Sequence, residues 1–76
     1  MGNEVNFLRK LRLDRMLSTK ELADLSGVSV TEINHIENDH YNPGPIVINK
    51  LAKALSYDFE ELFEKLREEK EWIYRN

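Results

Sequence analysis

The sequence predicts an all-α fold in which five helices pack as one small, compact domain. Apolar residues recur every three or four positions along most of the chain, which is the spacing of an amphipathic helix. The one short β-branched run, residues 46–48, continues at the same spacing, so strand signals are nearly missing. A chain of 76 residues allows one domain, and its core must be used efficiently because so short a chain buries only about 60% of its unfolded surface.

The helices follow in order from their apolar stripes. The five predicted ranges are 4–15, 19–26, 30–38, 45–55 and 58–73. The apolar residues that mark them are Phe7, Leu8 and Leu11, then Leu22 and Leu25, then Ile33 and Ile36, then Val47, Leu51 and Leu55, and finally Phe59, Leu62, Phe63 and Leu66. Each residue of a stripe lies three or four positions from another one and so shares one side of the helix with it, and each helix is expected to bury that side.

Helix starts and one helix end are also marked by residue type. Ser18 and Ser29 each precede a glutamate by three residues, which is the spacing of a capping box. Pro45 suits the first turn of the fourth helix, where its missing N–H costs nothing. Asp58 can cap the fifth helix in the way that the serines cap theirs. Gly27 falls just after the second helix, where a left-handed backbone is needed for a sharp turn.

The composition excludes several classes of protein. Cysteine is absent, which excludes a disulfide framework, a thiolate metal site and a cysteine nucleophile. The chain is 41% hydrophobic and 33% charged, a balance typical of soluble globular proteins. No apolar run approaches the ~20 residues of a membrane span, and the N-terminal residues do not resemble a signal peptide. We therefore expect an intracellular, cytoplasmic protein.

The acidic excess is concentrated at the C-terminal end of the chain. The formal net charge is −3, which argues against a general binder of polyanions. Residues 1–57 nevertheless hold seven basic and seven acidic side chains, whereas residues 58–76 hold four basic and seven acidic ones. The body of the predicted domain is therefore neutral, and the net charge does not by itself exclude a nucleic-acid partner.

Residues 19–38 have the pattern of a helix-turn-helix. Two short predicted helices are joined by a tight turn that contains Gly27, and Ser29 caps the second helix two residues later. The residues expected to pack the pair together are Leu22, Val28, Ile33 and Ile36. The second helix of such a unit can lie in the major groove of DNA.

Other stretches around this unit complete a longer pattern. In chain order they are Leu11-Arg12, Leu17-Ser18-Thr19-Lys20-Glu21-Leu22-Ala23, Gly27-Val28-Ser29, Ile33 with Ile36-Glu37, Asn42-Pro43 and Leu51-Ala52-Lys53-Ala54-Leu55. In this order and spacing they resemble the Cro/CI-type (XRE-like) helix-turn-helix domain of phage repressors. The resemblance implies a lambda-repressor-like fold and a sequence-specific, DNA-binding transcriptional regulator, most often a repressor. It divides the chain into residues 1–6, a domain over 7–63 and an extension of the C-terminal helix over 64–76.

The resemblance also implies roles for individual residues. The third helix would be the recognition helix, and its residues expected to meet base edges are Val30, Thr31, Glu32, Asn34 and His35. The residues expected to contact the phosphate backbone are Thr19, Lys20, Ser29, Asn38, His40, Tyr41 and Asn42. Arg12 and Glu37 match a pair that forms a buried or half-buried salt bridge between the first and third helices in this family.

Three features depart from the family pattern. Thr19 stands where a longer glutamine is usual, so its phosphate contact would be closer or lost. Asp39 replaces the usual glycine after the third helix. Residues 28–48 contain no lysine or arginine, although recognition helices often read guanine with one of them.

Without a cation on the third helix, other base contacts become the expected ones. Val30 and Thr31 can contact a thymine methyl group, Asn34 can pair with adenine, and Glu32 can accept from a cytosine amino group. Few cations also release few counterions, so we expect shallow salt dependence and weak non-specific binding.

The last helix allows two interpretations. In the first, Phe59, Leu62 and Phe63 close the core and residues 67–76 form an acidic, frayed end. In the second, an exposed patch forms the interface of a homodimer, consisting of Phe63, Leu66, Trp72, Ile73 and Tyr74. A two-fold dimer would match a palindromic DNA site with half-sites ~34 Å apart.

Alternative functions have less support. A helix-turn-helix module that binds a protein, as an antitoxin or adaptor, is favoured by the lack of cations in residues 28–48. A metal site at His35, Glu37, Asp39 and His40 is poorly spaced for ligation. Ser18 and Ser29 have no base beside them and are explained by capping. We therefore expect no enzymatic activity, no catalytic residue, no cofactor and no metal.

Overall fold

The computed structural model describes the backbone of residues 6–38 and 43–75 and the side chains of residues 6–38 and 43–67. These residues form five α-helices and contain no strand: α1 (Phe7–Asp14), α2 (Thr19–Ser26), α3 (Val30–Glu37), α4 (Pro45–Leu55) and α5 (Phe59–Arg75). The all-α prediction is confirmed. Within the described ranges, no helix is both long enough and apolar enough to cross a membrane.

Side-chain caps set the starts of three helices where the sequence predicts them. Ser18 and Glu21 form the complete capping box of α2, with the serine oxygen 3.0 Å from the glutamate amide and the carboxylate 2.8 Å from the serine amide. Ser29 Oγ accepts the amide of Glu32 at 3.0 Å. Asp58 Oδ2 accepts the amide three residues later at 2.9 Å. These bonds satisfy amides that have no partner within their helix.

The largest boundary difference is at the start of α1. The apolar stripe predicts a helix from residue 4, but the structure begins it at Phe7. Asn6 is the reason, because its Oδ1 accepts the amides of Leu8 at 2.7 Å and Arg9 at 3.2 Å and so acts as the N-cap. The other boundaries lie within two residues of those predicted.

One apolar core joins all five helices. α2 packs against α3 and α4, α4 packs against α5, and α1 packs against α3 and α5. The buried apolar side chains are Leu8, Leu11, Leu22, Val28, Ile33, Ile36, Ile48, Leu51, Ala52, Leu55, Leu62 and Leu66. The four residues expected to hold the helix-turn-helix together are therefore all in the core.

Four apolar residues differ in burial from an expectation drawn from the sequence. Leu25 is exposed, although it was expected to mark the buried side of α2. In α4, Ile48 is fully buried and Val47 only partly. Leu66 is 2% exposed and belongs to the core, so it is not part of an exposed patch on α5. The reason is that Leu66 lies one turn after Leu62 and shares its buried side.

Of the other residues of the expected patch, the structure describes the side chain of Phe63 only. Phe63 is partly buried against the core and stacks on Phe59, with ring centroids 5.7 Å apart. For Trp72, Ile73 and Tyr74 the backbone is helical, but their side chains lie outside the described residues. The fifth helix therefore extends well beyond Leu66, its last described core residue.

Three turns among the described residues use a left-handed backbone, but only one of them has glycine. Ser56, just after α4, has φ +53°. Gly27 has φ +80°, as the sequence predicts for the turn between α2 and α3. Met16 has φ +58° in the turn between α1 and α2, although its side chain is 89% exposed. A side chain in this conformation brings Cβ close to the following carbonyl oxygen and costs roughly 1–2 kcal/mol. The strain at Met16 is therefore not offset by burial.

The turns at Gly27 and Met16 predict opposite effects from opposite substitutions. Gly27→Ala should lower the free energy of unfolding by about 1–2 kcal/mol, because an added Cβ meets no atom but strains the backbone. Met16→Gly should raise it by about 1 kcal/mol, because that strain is relieved. Urea unfolding measures both. Leu13→Gly, in the last turn of α1, is the control and should be destabilising. A destabilised Met16→Gly variant would contradict the proposed strain.

Candidate nucleic-acid interface

The third helix has two distinct faces. Ile33, Ile36 and Glu37 are buried against the rest of the domain. The opposite face is exposed and carries four of the five residues expected to read bases: Val30, Thr31, Asn34 and His35. These four fall at i, i+1, i+4 and i+5, which places them along one stripe of a helix. The structure therefore presents them together to solvent.

The fifth expected base reader, Glu32, lies at the side of this stripe. It is partly buried, and its backbone amide donates to Ser29 Oγ. Glu32 is thus less accessible than its neighbours on the outward stripe. Ser29 itself is exposed at the N-terminus of α3, where backbone amides could also face a phosphate.

The expected phosphate contacts are only partly described. Thr19 begins α2 and is half-buried, whereas Lys20 is exposed and lies 3.6 Å from the carboxylate of Asp24. Asn38 is the C-cap of α3 and is exposed. The other three residues, His40, Tyr41 and Asn42, lie outside the described residues, as does Asp39.

Two arginines of α1 bind the inner face of α3 through one carboxylate. Arg12 Nε donates to Glu37 Oε2 at 2.7 Å, and Arg12 Nη2 donates to Oε1 at 3.0 Å. Arg9 Nε donates to the same Oε1 at 3.1 Å. The side chain of Glu37 is 1% exposed, whereas those of Arg12 and Arg9 are 11% and 38% exposed. The structure thus brings together the two residues of the expected ion pair and adds a third.

The ion pair stabilises the charged form of its arginine. Hydrogen bonding to Glu37, followed by the attraction of its charge, raises the pKa of Arg12, which outweighs the opposing effect of burial. Arg12 also donates to the backbone carbonyl of Leu17 at 2.9 Å, just before α2. One guanidinium therefore connects α1 both to α3 and to the start of α2.

Two residues of this inner site were missed from the sequence. Asn6 Nδ2 donates to the carbonyl of Ile36 at 3.2 Å while its Oδ1 caps α1. Arg9 donates to Asn38 Oδ1 at 3.2 Å as well as to Glu37. Both had a usable signal, because asparagine before an apolar stripe is an N-cap pattern and Arg9 precedes Arg12 by one helical turn.

A third arginine, Arg15, is exposed but also donates to the backbone of the domain. Arg15 Nε donates to the carbonyl of Leu55 at 2.6 Å, at the C-terminal end of α4. A cation at this end of a helix also interacts favourably with the helix dipole. The three arginines of residues 1–57 therefore all donate to other parts of the domain.

The metal alternative gains no support from this geometry. Of its four residues, Asp39 and His40 lie outside the described residues, and the Glu37 carboxylate is occupied by two guanidinium groups. His35 is on the exposed side of α3, away from Glu37 on the buried side. Glu37 is thus placed to bind arginine rather than a cation from solution.

The buried carboxylate predicts a large effect of its removal. Glu37→Ala leaves Arg12 in a mostly buried position without its counter-charge, which costs about 3–5 kcal/mol. Since so small a domain has little stability to spare, we expect thermal or urea unfolding to show a largely unfolded protein. Asp24→Ala removes a carboxylate from an exposed pair and should change stability by under about 1 kcal/mol. A Glu37→Ala variant that melts like the unaltered protein would refute the structural role.

Comparison with known proteins agrees with this geometry. The helix-turn-helix family model matches residues 8–62, which is most of the chain. The HTH-type transcriptional repressor RghR of Bacillus subtilis (strain 168) is 46% identical over 59 residues, which cover 76% of this chain and 44% of RghR. The uncharacterized HTH-type transcriptional regulator RghRB of the same strain is 43% identical over 56 residues, which cover 72% of this chain and 40% of RghRB.

The matched region spans less than half the length of either relative. The region matched by the family model includes α2, its glycine turn and α3, together with the contact between Arg12 and Glu37 that holds α3 in place. On the match to most of its length, and on a structure that has the expected helices in the expected order, the chain belongs to the helix-turn-helix family, as its Cro/CI-type pattern predicts.

Proposed function

We propose that the chain is a sequence-specific DNA-binding domain of a transcriptional repressor and that α3 is its recognition helix. The observation that carries the proposal is the division of α3 into an exposed stripe and a face fixed by buried contacts. A rigidly held helix can place its outward side chains against base edges with little loss of entropy. The printed description of RghR as an HTH-type transcriptional repressor supports the same function.

The exposed stripe has the chemistry to read A·T base pairs in the major groove. Val30 and Thr31 offer methyl groups to the methyl of thymine, and Asn34 can form two hydrogen bonds with adenine. No lysine or arginine is present in residues 28–48 to bind guanine in the usual bidentate way. We therefore assign this domain an operator in which contacts to A·T pairs dominate.

Binding by one protomer should be modest in strength. Arg9, Arg12 and Arg15 donate to groups within the domain, so they are less available to bind phosphates. The remaining cations of residues 1–57 are Lys10, Lys20, Lys50 and Lys53. Each neutralised phosphate contributes about one unit to the salt dependence of affinity, so this domain should show a shallow dependence.

The proposal includes a homodimer on a palindromic operator. Two domains related by a two-fold axis would add their contacts on half-sites ~34 Å apart and so compensate for modest binding by each one. The proposed interface is the end of α5, which carries Trp72, Ile73 and Tyr74, together with Phe63 earlier on the same helix. In this proposal the protein binds double-stranded DNA in the cytoplasm. It does not act as an enzyme.

Selection of bound sequences from random duplex DNA tests the function directly. We expect a palindrome whose half-sites contain A·T pairs at the positions facing α3. Asn34→Ala should cost about 1–3 kcal/mol on the selected site and relax the preference at one base pair, since it removes a bidentate contact. Glu64→Ala, exposed on α5, is the control and should leave the selected sequence unchanged. Failure to enrich any sequence at low salt would reject DNA reading and favour a module that binds another protein.

Sedimentation equilibrium tests the dimer separately. The mass should rise from 9.0 kDa toward twice that value as the chain is concentrated. Ile73→Glu should weaken this association, because it places a charge in the proposed apolar interface. Glu64→Gln serves as a control for altered charge on the same helix. A chain that stays monomeric up to millimolar concentration would exclude dimerisation through α5.

A further inference from the structure

Arg9 makes contacts that go beyond what the buried ion pair needs. Its side chain starts in the first turn of α1 and reaches the C-terminal end of α3, where Nε donates to Glu37 and Nη2 donates to Asn38 Oδ1 at 3.2 Å. With 38% of its side chain exposed, it is the more accessible of the two arginines on Glu37. An exposed arginine on a DNA-binding domain would ordinarily be read as a phosphate contact.

Glu37 remains paired without Arg9. Arg12 already donates to both carboxylate oxygens, Nε to Oε2 at 2.7 Å and Nη2 to Oε1 at 3.0 Å. This bidentate arrangement neutralises the buried charge and fixes its geometry. Loss of Arg9 would remove one of three hydrogen bonds on the carboxylate and leave it neither unpaired nor unsatisfied. The fold therefore depends on Arg12 much more than on Arg9.

The second contact of Arg9 acts on the end of the recognition helix. Asn38 is the C-cap of α3, and both its backbone amide and its side-chain Nδ2 donate to the carbonyl of Asn34, at 3.0 and 2.9 Å. Its remaining side-chain atom, Oδ1, accepts from Arg9. The Asn38 side chain is thus held between α1 and the last turn of α3, which begins at a proposed base-reading residue.

We propose that Arg9 is a positioning residue for DNA binding: it holds Asn38 and the last turn of α3 in place and does not itself bind phosphate. The inference rests on the proposed function and deepens it. A planar guanidinium can donate to Glu37 and Asn38 at once, whereas the ammonium of a lysine has no such geometry. The identity of Arg9, and not only its charge, is therefore what matters.

Four variants of the full chain separate this role from a phosphate contact. Arg9→Lys keeps the charge and removes the paired geometry, and Arg9→Ala removes both. Asn38→Ala removes the acceptor, alone and together with Arg9→Ala. Lys10→Ala is the matched control, because it deletes the neighbouring cation of α1, which is exposed. For each variant the measurements are urea unfolding, amide hydrogen exchange, and affinity for the selected duplex across a range of salt concentrations.

The positioning role predicts the following results. Arg9→Lys and Arg9→Ala should each speed exchange of the Asn38 amide and weaken DNA binding, both by about tenfold. The dependence of affinity on salt should keep its slope, because no phosphate contact is lost. The double variant should bind as well as Asn38→Ala alone, because both changes break one linkage. Urea unfolding should stay close to that of the unaltered chain, and Lys10→Ala should leave Asn38 exchange unchanged.

Other outcomes would overturn it. Full affinity in Arg9→Lys, or a salt slope reduced by about one in Arg9→Ala with Asn38 exchange unchanged, would make Arg9 a phosphate contact. If the unaltered chain selects no DNA, the proposed function fails, and hydrogen exchange then decides the linkage by itself. Faster exchange at Asn38 in Arg9→Lys would support the linkage in that case, and unchanged exchange would refute it.

Discussion

The carboxylate of Glu37 sets the arrangement on which the rest of this domain depends. A charge that is 1% exposed must be paired and hydrogen-bonded, since desolvation otherwise costs several kcal/mol. The face of α3 that carries it must therefore meet the guanidinium of Arg12. That same guanidinium binds the carbonyl of Leu17, so the start of α2 is fixed by the group that fixes α3. The buried side of the helix-turn-helix is therefore stabilised by polar contacts as well as by the apolar core.

This internal use of arginine also changes how the charge of the chain is understood. The net charge of −3 comes from the C-terminal segment, and the body is formally neutral. Within that body, however, the arginines are directed at Glu37 and at backbone carbonyls. The positive charge available at the surface is therefore carried mainly by lysines. A count of charges from sequence treats all these cations as equal, whereas the arginines bound to Glu37 are less available to a polyanion.

The sequence predicts this fold well because its local signals agree with one another. Ser18, Ser29 and Asp58 cap the helices that they were expected to cap, and Gly27 has the left-handed backbone that its turn requires. The errors arise where a contact distant in sequence decides the outcome. The pattern places Leu66 both on the apolar stripe of α5 and in a candidate exposed patch, and the packing of α5 against the other helices decides that it is buried. The spacing of Arg9 from Arg12 places both on one side of α1, but the partners of Arg9 lie 28 and 29 residues away and no local pattern specifies them.

The two faces of α3 have a consequence for how such a domain can diversify. The buried face of α3 stabilises the fold through Ile33, Ile36 and Glu37. The outer stripe, which includes Thr31 and Asn34, is exposed. Exposed positions of this kind usually tolerate substitution within about 0.5 kcal/mol. Changes to what the helix reads can therefore accumulate without loss of folding, and stability can be improved without altering recognition. After gene duplication, two copies of such a domain can come to bind different DNA sequences while both keep the same core.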